Sequence, residues 1–393
     1  MKKRHIFIIT IILLLMLIPI FYYIYRVKFD KREVVLVKNL KVEVNDSKKV
    51  SDFIKRVNGN IVNDYEIDTT SLGTKHLKLT YINKENIKVT YNFDVKVVDT
   101  TAPVVWVDYL YTVDVNSDIN LVNSIMCGDN YDNHPKCSIK GKYNLNKVGV
   151  YVLKYIAIDS SNNKTVKRFL LNVVKPNKQN KDKKTYTKYS DIYNKYKTDK
   201  TNIGIDISKW QGDVDFSKLK EANVEFVILR VGYSKGIDGE YELDPKFKQN
   251  IENAINNDIP VGLYFYSYAN SRKKAIEDAK WVISQIKDYE IKYPIAFDWE
   301  EWKNYNEYKL SFANLTDMAN AFTETIEKEG YKSLLYSSKN YLEKIWMENN
   351  NDIWLAYYTK HNNYKGKYKM WQLCDNGKVD GIETDVDIDI YYK

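Results

Sequence analysis

The sequence predicts a multidomain chain of 393 residues: an N-terminal transmembrane helix, two all-β sandwiches, and a C-terminal barrel of alternating strands and helices. Three observations predict it. A basic "MKKRH" start is followed by about twenty uncharged residues, the length a helix needs to cross a bilayer. Residues 34–175 read as short strands of alternating polarity separated by turn residues. From residue 201 strand patterns alternate with helical ones. A chain this long exceeds one ordinary domain.

The apolar stretch is "IFIITIILLLMLIPIFYYIY". Pro19 would kink it, which a membrane helix tolerates. A cleaved signal peptide is the alternative, but small residues before a cleavage site are missing, and the end is bulky: Phe21, Tyr22, Tyr23. The expectation is an uncleaved single-pass anchor over residues 1–27. Basic residues flank both ends, so charge alone does not orient it.

The β-rich region carries an internal repeat. "YEIDTTSLGTKHLKLTYI" returns in form as "YNLNKVGVYVLKYIAI", with Gly73 and Gly149 in matching places. The spacing is about 76 residues, the size of a small sandwich rather than a solenoid repeat. Boundaries at 28–101 and 102–175 follow. The phrases "VVDTTAP" and "AIDSSNN" resemble those of bacterial Ig-like modules of surface proteins. Residues 176–200 carry many lysines and no evident apolar period, which reads as a flexible, self-repelling linker.

Composition narrows the function classes. The net charge of +8 is spread over the chain, and either an anionic setting or a bias toward Lys, Asn, Ile and Tyr accounts for it. No basic helix or aromatic-basic motif stands out, so no nucleic-acid partner is expected. The 34 tyrosines fit a carbohydrate-facing surface or the same bias. There is no CxxC pair and the four histidines are scattered, so a zinc site is not expected. Cys127 and Cys137 bracket a short polar loop and are expected to be bridged outside the cell, with two free thiols as the alternative. Cys374 sits in an apolar run and reads as a core thiol.

The C-terminal region, 201–393, holds eight strand patterns, the first five linked by helices. Parallel strands in that number can close a barrel, whose chemistry sits at the C-terminal strand ends. Asp206 ends the first strand. Asp298 and Glu300 end the fourth, in "PIAFDWE", and Asp387 lies in the eighth. Residues i and i+2 of a strand share a face, which puts the Asp298 and Glu300 Cα atoms about 6.6 Å apart. Two carboxyls in one partly apolar cavity cannot both ionise freely, so their pKa values split. One then keeps a proton to donate and the other stays anionic, as glycoside hydrolysis requires.

The runs "GIDISKWQGDVDFSKLKEANVEFVILRVGYS", "DPKFKQN", "PVGLYFYSYA", "PIAFDWE", "IWLAYY", "MWQL" and "VDGIETDVDIDIYY" resemble family 25 glycoside hydrolases, the Chalaropsis-type lysozymes, in order over residues 202–392. The resemblance implies an irregular, TIM-like (β/α)5β3 barrel. It implies cleavage of the β-1,4 bond between N-acetylmuramic acid and N-acetylglucosamine of peptidoglycan. It implies Glu300 as proton donor and later base, and Asp298 as the second carboxylate, either attacking directly or orienting the sugar's acetamido group. Asp206 and Asp387 match further acidic positions of the family site, implied to orient substrate and tune the pair. The resemblance implies no metal or cofactor. Tyr264, Tyr266, Tyr336, Tyr358, Trp371 and Gln372 match subsite positions, with plain barrel packing as the alternative for each. Phe265 stands where many relatives carry His, and Asp389 where Asn is common.

The expected protein is thus a membrane-anchored muramidase whose partners are the membrane and peptidoglycan glycan strands, with the barrel on the extracellular side. The alternative is a non-catalytic surface protein that binds glycan.

Overall fold

The structure, a computed structural model, describes residues 17–22, 33–176 and 185–393. Residues 17–22 are helical, and among the described residues no helix is long and apolar enough to cross a membrane. The rest of the stretch behind the transmembrane expectation lies outside the described residues. The chain divides into two compact units, Met1–Thr100 and Thr101–Lys393.

The first unit is an all-β module. Lys41–Glu43 runs parallel to Lys88–Val98, which pairs antiparallel with Gly73–Asn83, and Gly59–Asn63 forms the far edge. A second, two-stranded sheet joins Val34–Leu36 to Ile54–Val57. Alternation sorts the side chains: Leu77 and Leu79 from one long strand and Phe93, Val95 and Val97 from the other are buried.

The second module repeats that plan. Leu110–Asp114 is parallel to Lys164–Val174, then Gly149–Ile158 and Lys136–Lys140 follow antiparallel. Val104–Trp106 pairs with Met126–Gly128. Gly73 and Gly149 open corresponding strands, so the repeat read from the sequence is a repeat of topology. Cys127 and Cys137 are joined by a disulfide, with Cα atoms 6.5 Å apart, and Cys374 is a buried free thiol.

The second module belongs to the same compact unit as the barrel. The linker reading is corrected. Residues 177–184 lie outside the described residues, but Thr187–Lys188 adds to the barrel sheet and Tyr189–Tyr196 is a helix packed on it. Tyr189 is buried and its hydroxyl donates to the Ile203 carbonyl at 2.9 Å and the Asn223 carbonyl at 3.0 Å. The signal was present: Tyr189, Ile192, Tyr193 and Tyr196 fall at i, i+3, i+4 and i+7, a helical apolar stripe obscured by the lysines around it.

The barrel has eight strands: β1 (Thr201–Ile207), β2 (Val227–Ser234), β3 (Val261–Tyr266), β4 (Ile295–Asp298), β5 (Ser333–Ser338), β6 (Ile353–Ala356), β7 (Met370–Lys378) and β8 (Val386–Tyr392). From β1 to β7 each neighbour is parallel. β8 is antiparallel to both β7 and β1 and closes the ring. Helices Phe216–Glu221, Phe247–Asn256, Arg272–Ile286, Phe312–Lys328 and Lys339–Lys344 follow β1 to β5. Three begin at capping side chains: Asp215, Ser271 and Ser311 each accept a first-turn backbone N–H.

Strand alternation splits the barrel into two layers. Ile203, Ile205, Phe265, Phe297 and Leu335 join the outer layer under the helices. Phe226, Ile228, Ala296, Tyr336, Trp354 and Met370 fill the interior, with Tyr264 packed against them. Asp206 and Asp298 alternate with outer-layer residues on β1 and β4, so both face this interior at its C-terminal end.

Candidate active site

Asp206 is buried on β1, and its Oδ2 accepts a hydrogen bond from Gln372 Nε2 at 2.8 Å. Gln372 Oε1 in turn accepts from the Tyr336 hydroxyl at 2.9 Å and the Tyr358 hydroxyl at 3.0 Å. Asp387 is the cross-strand partner of Asp206, and Asp389 that of Gly204 and Gln372. Asp389 is fully buried, with Oδ1 accepting from Trp354 Nε1 at 2.8 Å. A carboxyl at 389 therefore stands in contact range of two networks at once, one through Trp354 and one through Asp206.

Asp298 is 5% exposed, and its Oδ1 has no hydrogen-bond partner among the described residues. Such an oxygen is costly unless a ligand completes it. β4 ends at Asp298, and Glu300 lies beyond it with φ −129° and ψ 20°. The two acids therefore sit together at the C-terminal end of β4, where the charge of Glu300 acts on Asp298. Trp299 between them turns into the outer layer, fully buried, and donates through Nε1 to the Ala269 carbonyl at 3.0 Å. Glu300 reaches solvent, although protein packs closely around its carboxyl. Its exposure governs access to it, and the packing governs its acidity.

Every acid here binds its proton more tightly than usual. Burial raises Asp206 first, then the charge of Asp389. Burial raises Asp298, followed by Glu300 and Asp206, while Arg230 pulls it down. Burial and then Glu301 raise Glu300. Burial, Asp206, Asp375 and Glu300 push Asp387 up to about 9. Burial pushes Asp389 up as well, against the neighbouring Asp206 carboxyl and the Trp354 hydrogen bond, which pull it down. Asp206, Glu300 and Asp387 each act on the acidity of at least one other of these carboxyls, and Asp298 is acted on by Glu300 and Asp206, in keeping with their common place at the C-terminal end of the interior. Among the described residues, the barrel acids do not bring three ligand atoms within the 4.8 Å expected of a metal cluster.

The family model for Glycosyl hydrolases family 25 matches residues 205–382, a little under half of the chain. The C-terminal half is a glycosyl hydrolase family 25 domain. The chain is 26% identical over 193 residues to the uncharacterized protein YegX of Escherichia coli K12, covering 48% of this chain and 68% of YegX. It is 26% identical over 189 residues to the autolytic lysozyme of Clostridium acetobutylicum, covering 47% of this chain and 54% of that protein. The solved modular autolysin LytC of Streptococcus pneumoniae, in complex with a synthetic peptidoglycan ligand, matches at 26% identity and a TM-score of 0.43. That match covers 61% of this chain and 56% of LytC, so the chain spans about half the length of the lysozyme and of the autolysin.

The family 25 domain brings most of the expected residues together. Tyr264 and Tyr336 stand in the interior around Trp354, at ring centroids 6.2 and 4.7 Å away. Tyr358 is half exposed at the rim. Tyr266 donates to Glu301 Oε1 at 2.9 Å, so its hydroxyl orients the neighbour of Glu300. Trp371 is misplaced by the sequence reading. It lies in the outer layer, buried against Tyr196 at 5.8 Å, because Gln372 faces inward and adjacent strand residues cannot share a face. Phe265 is likewise in the outer layer, against Phe322 and Trp281, so the His-to-Phe departure falls outside the cavity.

Sequence reasoning missed Trp354, Arg230, Glu301, Trp302 and Tyr341. Arg230 alone was conspicuous, a cation inside the apolar run "VILRVGY". It is held by Asp244, with Nε to Oδ2 at 2.7 Å.

The raised acids carry a stability signature. Above the ordinary carboxylate range of about 4 the unfolded chain has released protons that the folded chain still holds. Stability therefore falls as pH climbs from there toward the Asp387 value of about 9. Tm is expected to drop between pH 5 and pH 8, and Asp389→Asn to raise Tm at pH 8 and flatten the slope. A thermal unfolding series at both pH values checks this, and an unchanged slope in the variant contradicts it.

Proposed function

We propose that the barrel is a peptidoglycan hydrolase, an N-acetylmuramidase that cleaves the β-1,4 bond between N-acetylmuramic acid and N-acetylglucosamine. The observation that carries this reading is the unequal placement of two neighbouring acids at the end of β4: Asp298 is buried with an unpartnered Oδ1, while Glu300 is exposed at the mouth. Burial raises both, and the charge of Glu300 raises Asp298 further against the pull of Arg230, so the two carboxyls share a proton rather than ionise together.

Glu300, open to solvent at the mouth, protonates the leaving glycosidic oxygen and then activates water. Asp298, buried with a free Oδ1, stabilises the positive charge that develops on the sugar ring, either by bonding to it or by orienting its acetamido group. Asp206 and Asp387 hold the cavity floor, with Asp206 tied through Gln372 to Tyr336 and Tyr358. Tyr264, Tyr336 and Tyr358 supply rings on which sugars stack. The name of the clostridial relative, an autolytic lysozyme, supports the substrate class.

The same reading places the chain on the outer side of a membrane, held by the apolar N-terminal stretch. It treats the two β-modules as Ig-like. The bond assignment is tested by digesting purified peptidoglycan with the full chain and reducing the products with borohydride. New muramitol ends are the expected result. Reduced glucosamine ends would move the cut to the other linkage, and unchanged chains would leave a glycan-binding barrel.

A further inference from the structure

The segment that starts at Glu300 is gripped by the second β-module. Asn306 Oδ1 accepts the Cys127 backbone N–H at 2.9 Å, and its Nδ2 donates to the Ile125 carbonyl at 2.9 Å and the Asn123 carbonyl at 3.1 Å. One side chain thus uses both ends of its amide on the module's backbone. Just beyond, the Phe312 and Ala313 backbone N–H groups donate to the Asp129 and Asn130 carbonyls at 2.7 and 3.2 Å. The module therefore satisfies first-turn donors of the helix Phe312–Lys328, which otherwise lack intrahelical partners.

The contact is also close-packed. Met126 belongs to the barrel's outer core, and a Cβ built at Gly128 would lie 2.6 Å from a Phe312 ring carbon and 2.7 Å from a Tyr305 ring carbon. An aromatic series runs back toward the acids. Trp106 of the module lies 4.9 Å from Tyr341, which stacks on Trp302 at 3.9 Å. Trp302 is two residues from Glu300 and bonds its carbonyl at 2.7 Å, and Tyr341 feels the Glu300 charge.

We propose that the second β-module is a working part of the active site, with Asn306 as the positioning residue through which it holds Glu300 at the geometry of proton transfer. This rests on the glycosidase reading above. Asn306 touches no reacting atom. It fixes the far end of the segment whose near end carries the acid, while Trp302 and Tyr341 keep water from one side of that acid. A displacement of about 1 Å at a reacting group is enough to cost roughly a hundredfold in rate.

The test compares full-length wild type, Asn306→Ala and Gly128→Ala on a soluble N-acetylglucosamine–N-acetylmuramic acid oligosaccharide. The first variant removes the clasp from the barrel side, and the second wedges the junction from the module side, so either one that folds gives a reading. The expected result is a fall in kcat of about tenfold or more with KM within about twofold. The alkaline limb of kcat/KM moves to lower pH, because water admitted to Glu300 weakens the burial that raises it. A module that only stabilises the fold would reduce the folded fraction and leave that limb in place. Folded variants with wild-type kcat and limb overturn the proposal, as does a loss of kcat that tracks the unfolded fraction alone. A wild-type chain that cleaves nothing overturns the glycosidase reading and this one with it, whereas an active wild type matched by both variants overturns only this one.

Discussion

Glu300→Gln is expected to lower hydrolysis of purified peptidoglycan by about 10²–10⁴-fold, the usual contribution of a positioned general acid and base. Glutamine keeps the length and the exposure of the side chain but has no proton to give. Because Glu300 reaches solvent, the exchange disturbs little packing, and because its carboxyl is raised, Tm at neutral pH should stay at or above the wild-type value. The wild-type profile carries a second expectation. The acid must be protonated to act, and burial together with Glu301 holds that proton above the ordinary glutamate range. Activity therefore persists toward neutral pH and falls as pH rises through the raised value. A turbidity assay over a pH series reads both effects. A variant with wild-type rates would remove Glu300 from the role of proton donor.

Asp298→Asn separates function from stability in one substitution. The expected loss in kcat is about 10²–10³-fold, the scale of removing a group aimed at charge that develops in the transition state. Stability moves the other way. Asp298 is buried, has an unpartnered Oδ1, and is pushed well above the usual carboxylate range by burial and by Glu300 and Asp206. An acid raised in this way opposes folding at neutral pH, so a neutral amide should hold or raise Tm at pH 7. Steady-state rates on a defined oligosaccharide, set beside thermal unfolding at pH 7, check the pair. A variant that is both active and no more stable than wild type would show that the carboxylate neither suffers from its burial nor is needed for the reaction. The price of the site is then a local instability that the rest of the barrel offsets.

Much of the fold could be read from period and punctuation. The repeat anchored by Gly73 and Gly149 is a repeat of strand order, and eight strand patterns with five helices close into one ring. The acids were legible for the same reason: an Asp or Glu at the end of an apolar strand has no structural purpose that a neutral residue would not serve better. Where the reading failed, local pattern and tertiary context diverged. Tyr189–Tyr196 looked like a tether because composition outweighed its helical spacing. Trp371 looked like a sugar platform because aromatic character says nothing about which face it takes, and Gln372 had already taken the inner one.

The sequence by itself determined the repeat of the β-modules, the order of the barrel strands, and the positions of Asp206, Asp298, Glu300 and Asp387 at or beside strand ends, because those follow from periodicities of two and 3.6 residues and from the rarity of acids on buried strands. Only the tertiary structure decided that Trp354, Arg230 and Glu301 govern those acids, and that the second β-module clasps the segment behind Glu300 through Asn306. Electrostatic and hydrogen-bond coupling depend on distance in space. Cys127 and Asn306, 179 positions apart in the chain, become neighbours only when the whole unit has folded.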